Sequence, residues 1–131
     1  MVVEITALYA ALLVAVLIFL TTRIGVKRAK TRVSILDGGN KEVAVEMRRH
    51  GNFVEHVPLL ILLMAIIEIN GGNSVFLHVV GIALVICRIA HPIGLHYDQV
   101  QTPLRMIGSV GTGLITGALG LMTLWQGVSA F

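Results

Sequence analysis

The fold is decided by residues 46–67, EMRRHGNFVEHVPLLILLMAII, where an apolar run directly follows a charged one. Roughly 20 residues of helix are needed to cross the hydrocarbon core of a bilayer, and the purely apolar part, residues 57–67, is too short. A membrane span must therefore reach back through Glu55 and Asn52. Because polar groups inside a membrane are costly, we expect these side chains to face protein rather than lipid.

Four apolar stretches of this kind take up most of the chain. The protein has 131 residues, of which 56% are hydrophobic, and its mean hydropathy of +0.88 is too high for an ordinary soluble domain. The sequence predicts an all-α integral membrane protein, a single four-helix bundle over residues 1–131. We expect its helices at about residues 2–22, 41–69, 75–95 and 103–128.

Local signals mark several helix ends. Asn40 is predicted to cap the second helix, and Thr102 followed by Pro103 is typical of a helix start. Pro92 disfavours helical geometry at His91, so we expect a kink or an end of the third helix there.

The basic residues indicate how the chain is oriented. Every Lys and Arg lies in residues 23–49 or at Arg88 or Arg105, whereas the link of residues 70–74 has none. The positive-inside rule then predicts a multi-pass membrane protein whose first and third connections face the cytoplasm and whose termini both lie on the opposite side, which in a bacterial inner membrane is the periplasm. The charge is explained by topology and by contact with membrane lipid, so no nucleic-acid partner is expected.

The polar side chains of the apolar stretches are predicted to lie at one membrane depth, near the cytoplasmic end. They are Arg48, Asn52 and Glu55 in the second stretch, Arg88 and His91 in the third, and Arg105 at the start of the fourth. The three in the second stretch share a narrow arc of the helix. Such a cluster predicts a polar pocket open to the cytoplasm, suited to an amphiphile or to a polar co-substrate that meets a lipophilic molecule.

Simpler interpretations stay open. Glu55 would neutralise Arg48 or Arg88 in a purely structural network, and Arg105 would extend to the lipid headgroups. Ser109, Gly113 and Gly117 form a small-residue face that suits helix packing either within one subunit or between subunits. No metal site is predicted, since the histidines lack ligand spacing.

Residues 46–58 resemble the signature of MAPEG proteins, the membrane-associated proteins in eicosanoid and glutathione metabolism. The pattern is Arg48, then Asn52 four residues later, Glu55 three further on, and a proline soon after. Residues 88–91 and 102–105 resemble the second motif of the family and the arginine that opens its fourth helix. The resemblance covers the whole chain and is closest to the small bacterial branch.

This resemblance implies a homotrimer that uses glutathione as co-substrate and no metal. It assigns glutathione binding to Arg48, Asn52, Glu55, Arg88 and His91. It also implies a catalytic Arg105, which lies near the thiol and stabilises the thiolate.

The implied activity is that of a membrane-bound glutathione S-transferase, which conjugates glutathione to lipophilic electrophiles or reduces them with it. Four residues, His56, His91, Leu95 and Met106, differ from relatives that make leukotrienes or prostaglandins, which argues against those reactions. The alternative is a non-catalytic scaffold or lipid-binding protein that keeps the polar network for folding. A drug exporter is a weaker third interpretation, because Glu4 lies at the membrane edge rather than deep in the first helix.

Overall fold

The computed structural model describes residues 2–130 as four helices joined by short connections. The helices are α1 (Glu4–Thr31), α2 (Lys41–Ile69), α3 (Ser74–Gly94) and α4 (Pro103–Val128), and these residues include no strand. Each helix is long and apolar enough to cross a membrane. The prediction of an all-helical, multi-pass membrane protein is therefore confirmed.

Two helix starts are fixed by their own capping residues. The side-chain oxygen of Asn40 accepts hydrogen bonds from the backbone N–H groups of Glu42 and Val43, at 3.0 and 3.2 Å. The hydroxyl of Thr102 accepts the N–H of Arg105 at 3.3 Å, and Pro103 is the first residue of α4. Both caps are as the sequence predicts.

The predicted end of the first helix is wrong. α1 continues nine residues past position 22, to Thr31, and Arg32 ends it in the left-handed region at φ 56°. The basic run contains good helix formers and no proline, so nothing local stops the helix. Arg23 and Lys27 also pair with Glu46 and Glu42 of α2, at 2.6 and 2.8 Å, which holds the extension against α2.

The sequence predicts either a kink or an end of α3 at His91, and the end is not found there: the helix continues through Pro92 to Gly94, close to the predicted bound at residue 95. Packing against α4 holds this last turn in place. The hydroxyl of Thr102 donates to the carbonyl of Gly94 at 2.5 Å, and a side chain at Gly94 would collide with the α4 backbone at Leu104. Tertiary contacts here outweigh the local preference set by the proline.

The helices form a ring in the order α1, α2, α4, α3, and α1 and α4 make no contact within the described residues. The core lies between them and consists of large apolar side chains, among them Leu13, Leu60, Met64, Leu77, Leu84 and Leu119. α3 and α4 pack most extensively, which brings the end of one helix beside the start of the other.

The sequence predicts charged side chains at one membrane depth only. This prediction is wrong, because a further carboxylate lies at the other end of the bundle. Glu68 lies at the opposite end of α2, next to the connection of residues 70–73. Its carboxylate accepts the backbone N–H groups of Ile5 and Thr6, at 2.9 and 2.8 Å. Glu68 therefore caps α1 from another helix, and it satisfies donors that would otherwise lack partners near the membrane.

Candidate functional site

The outward face of α2 carries a charged pair. Arg48 donates two hydrogen bonds to Glu55, at 2.8 and 3.1 Å, and the two side chains are 57% and 49% exposed. Leu59 and Leu62 continue the same exposed stripe deeper into the span. The expectation that Glu55 faces protein is therefore not met within the described chain, whereas Asn52, which accepts a hydrogen bond from Arg88 of α3, meets it.

Arg88 occupies the centre of the polar cluster and is only 2% exposed. Its Nη1 donates to the side-chain oxygen of Asn52 at 2.9 Å, and its Nη2 donates to the carbonyl of Gly108 at 2.8 Å. The same Nη2 donates to the hydroxyl of Thr112, which is itself buried. One guanidinium thus connects α2, α3 and α4.

Thr112 is a member of the cluster that the sequence analysis missed. Its hydroxyl also donates to the carbonyl of Gly108, one turn earlier, at 2.7 Å. The available signal was its spacing of seven residues from Arg105, which places both near one face of α4. A threonine in a membrane helix usually bonds to its own backbone, so the spacing alone does not single it out.

The charge of Arg88 has no acidic partner, since no carboxylate lies within 4 Å of it in residues 2–130. Arg105 is likewise without an ion pair there; its Nη1 donates to the carbonyl of Gln99 at 3.2 Å and leaves the side chain partly exposed. Arg48, Arg88 and Arg105 against Glu55 leave an excess of two positive charges. The site is therefore electrostatically suited to an anion.

His91 lies at the α3–α4 contact and is 4% exposed. It packs against the backbone of Gly108, where an added side-chain carbon would lie 2.5 Å from the His91 Cβ. Its Nδ1 is buried and has no hydrogen-bond partner in the described chain. A buried polar atom in this state needs a further partner, such as a water or a ligand.

Two charged residues of the motif segment do not join this site. Glu46 and Arg49 point towards α1 and α3 instead, where Arg49 donates to Glu46 at 2.8 Å and to the carbonyl of Leu95 at 2.8 Å. A cavity of about 590 Å³ adjoins Arg49, and no predicted site residue lines it. Residues 2–130 also contain no group of His, Cys, Asp or Glu that could hold a metal ion.

The glycines of α4 divide into two sets. Gly108 and Gly111 lie against His91 and Cys87 of α3, so their lack of a side chain is needed for packing within the subunit. Gly113 and Gly117 have nothing within 4 Å of where a side chain would begin. The small-residue face predicted from Ser109 onwards is thus directed away from the rest of its own subunit.

Comparison with known proteins agrees with this architecture. The sequence matches the MAPEG family over residues 6–125. It is 37% identical, over 121 residues, to the inner membrane protein YecN of Escherichia coli strain K12 and to the same-named protein of Escherichia coli O6:H1. These matches cover 92% of this chain and 91% of each relative. No solved structure matches the sequence significantly. The family match spans all four helices and the polar cluster, and the chain belongs to the MAPEG family.

Proposed function

We propose that the protein is a membrane-bound glutathione transferase that joins glutathione to lipophilic electrophiles or reduces them with it. The observation that carries the proposal is the arc of α2 that holds the exposed Arg48–Glu55 pair and the partly buried Asn52, beside the excess positive charge of Arg88 and Arg105. The Arg48–Glu55 pair is about half exposed and joins two residues of one helix, so a role in holding helices together does not account for it. A ligand with charges of both signs does.

Glutathione fits this distribution of charge. Its ammonium group matches the carboxylate of Glu55, and its carboxylates match the guanidinium of Arg48 and the amide of Asn52. With its thiol ionised, glutathione carries two net negative charges, which balance the excess of the site. On binding, the Arg48–Glu55 pair opens and each partner takes the oppositely charged group of the ligand.

The reaction follows from the same arrangement. The thiol gives up its proton to water, and the thiolate attacks an electrophilic carbon to form a carbon–sulfur bond while the leaving group departs with its electron pair. Arg105 stabilises the thiolate at the start of α4, where the helix N-terminus also favours an anion. Arg88 orients the amide of Asn52, and the Nδ1 of His91 offers a further polar contact.

The alternative is a non-catalytic scaffold or lipid-binding protein. The buried hydrogen bonds of Arg88 favour this interpretation for one half of the cluster, because they join three helices with no ligand present. They do not explain the exposed arc of α2. The scaffold hypothesis therefore accounts for Arg88 and the transferase hypothesis for Arg48 and Glu55.

We further propose a homotrimer, in which neighbouring subunits cover the exposed polar arc of α2 and complete the glutathione site. Supporting this, the arc needs protein or ligand at membrane depth, and Gly113 and Gly117 of α4 present a small-residue face to the outside. Lipophilic substrates would enter such a site directly from the bilayer.

Calorimetric titration of the purified protein with glutathione tests the function. Glu55→Gln keeps the shape of the side chain but removes its charge, so affinity should fall by roughly 1.5–3 kcal/mol. Glu42→Gln is the matched control, because Glu42 is an exposed acid of the same helix that pairs with Lys27, outside the cluster.

Turnover separates binding from chemistry. Arg105→Leu should slow conjugation of glutathione to a chloronitrobenzene more than it weakens binding, because its role is at the sulfur. A parent protein that neither binds glutathione nor turns over would exclude the transferase and leave the scaffold hypothesis.

The proposed location is a bacterial inner membrane with both termini in the periplasm and the site facing the cytoplasm. The one-sided distribution of Lys and Arg supports this orientation. Alkaline phosphatase fused after Phe131 should be active in a bacterial host. A fluorescent protein that folds only in the cytoplasm should stay dark at the same point, and the reverse pattern would contradict the topology.

A further inference from the structure

A groove runs between α1 and α3 on the side of the bundle away from the outward face of α2. Its walls are apolar and include Ala15 and Phe19 of α1 and Ile89 and Ile93 of α3. Phe19, Ile89 and Ile93 are largely exposed, so the groove opens to the surrounding lipid. Its volume of about 590 Å³ lies within the range of about 300–1,000 Å³ that is usual for small-molecule sites.

Two arginines close one end of this groove. Arg23 of α1 donates to the carboxylate of Glu46 at 2.6 and 3.0 Å, and Arg49 donates to the same carboxylate at 2.8 Å. Glu46 is buried, whereas the Arg23 side chain is 45% exposed. The Nε of Arg49 is buried without a partner in the described chain.

The charges of this end do not cancel. One carboxylate faces two guanidinium groups, so the Arg23–Glu46–Arg49 cluster keeps one positive charge. That charge lies where the long apolar groove meets the basic extension of α1, at the end of the bundle that the Lys and Arg distribution assigns to the cytoplasm. The arrangement matches a molecule with an anionic head and an apolar chain.

We propose that the α1–α3 groove binds an anionic phospholipid of the cytoplasmic leaflet. Its phosphate contacts Arg23 and Arg49, and one acyl chain lies along Ala15, Phe19 and the isoleucines of α3. Arginine forms strong, often paired hydrogen bonds with phosphate, and the cytoplasmic leaflet is the one that displays anionic headgroups. The site shares no residue with the proposed glutathione site and does not depend on it.

Native mass spectrometry of the delipidated protein in mild detergent tests the proposal. Phosphatidylglycerol and phosphatidylcholine with identical acyl chains are added separately at equal concentration. The parent should retain phosphatidylglycerol in preference to phosphatidylcholine. Arg23→Gln should lower that binding about fivefold, because it removes the guanidinium that donates hydrogen bonds to the phosphate. Lys30→Gln is the matched control, because it removes the same charge from the same helix but does not line the groove.

A second variant tests the groove without touching the ionic cluster. Ala15→Leu places bulk in the apolar wall and should reduce phosphatidylglycerol binding, whereas Ala11→Leu, which is exposed on the same helix and does not line the groove, should not. Equal retention of both lipids, or no response to Arg23→Gln and Ala15→Leu, would overturn the proposal. A change in subunit number with Ala15→Leu would also overturn it, since the occupant would then be a second copy of the chain.

Discussion

Arg48 and Arg88 belong to the same polar cluster but have opposite surroundings. Arg48 is more than half exposed and pairs with the carboxylate of Glu55, on its own helix. Arg88 is buried, has no acidic partner in the described chain, and donates to groups of two other helices. Arg88 therefore connects the helices of the fold, whereas Arg48 is left available. Only Arg48 is free to exchange its partner for a ligand.

The largest effect should come from removing the buried arginine. Arg88→Met retains an unbranched side chain but removes the guanidinium. The oxygen of Asn52 then lacks its donor, and the hydrogen-bonded connection between α2 and α4 is lost. Each hydrogen bond to a charged group contributes about 1.5–3 kcal/mol, so we expect a loss of roughly 3 kcal/mol in the free energy of unfolding. Reversible unfolding in mixed micelles measures it.

Arg48→Met is the matched control for that measurement. It removes the same charge from the exposed pair, for which the expected loss is below about 1 kcal/mol. Equal losses for the two variants would contradict the division of roles. An unchanged free energy of unfolding for Arg88→Met would indicate that Arg88 serves ligand binding rather than the fold.

An effect of intermediate size is expected on subunit assembly, at the proposed contact between neighbouring subunits. Gly113→Leu adds bulk to the outward face of α4, and overpacking of a close contact costs about 1–3 kcal/mol. Native mass spectrometry should show three chains for the parent and fewer for this variant. Leu114→Phe, at an exposed position that points about 100° away from Gly113 on the same helix, should leave the three-chain species intact. An intact trimer in Gly113→Leu would exclude this face from the interface.

The helices and their caps could be predicted because the relevant physics is local. Asn40 and Thr102 satisfy the first N–H groups of their own helices, and the spacing of apolar residues sets the spans. The end of α1 could not be predicted in this way. It depends on acidic partners on α2, which become neighbours only once the two helices pack.

The members of the site could be predicted, but their surroundings could not. Helical spacing places Arg48, Asn52 and Glu55 on one arc, yet it does not say whether that arc faces the core or the outside. Thr112 and Glu68 were missed for the same reason, since each acts on another helix. Glutathione binding, catalysis by Arg105 and trimer formation stay predictions.

The smallest effect on stability, with a clear effect on binding, is expected from exchanging the exposed pair. The double variant Arg48→Glu with Glu55→Arg keeps one cation and one anion two helical turns apart, so an ion pair can form again and the free energy of unfolding should change by less than about 1 kcal/mol. If the pair serves only the fold, little else should change. If it receives glutathione, the carboxylate now lies where the carboxylate of the ligand should bind, and the arginine lies where its ammonium should bind. Calorimetry should then show glutathione affinity lowered at least as much as by Glu55→Gln, because two favourable contacts become repulsive. An exchanged variant that binds glutathione like the parent would remove Arg48 and Glu55 from the site.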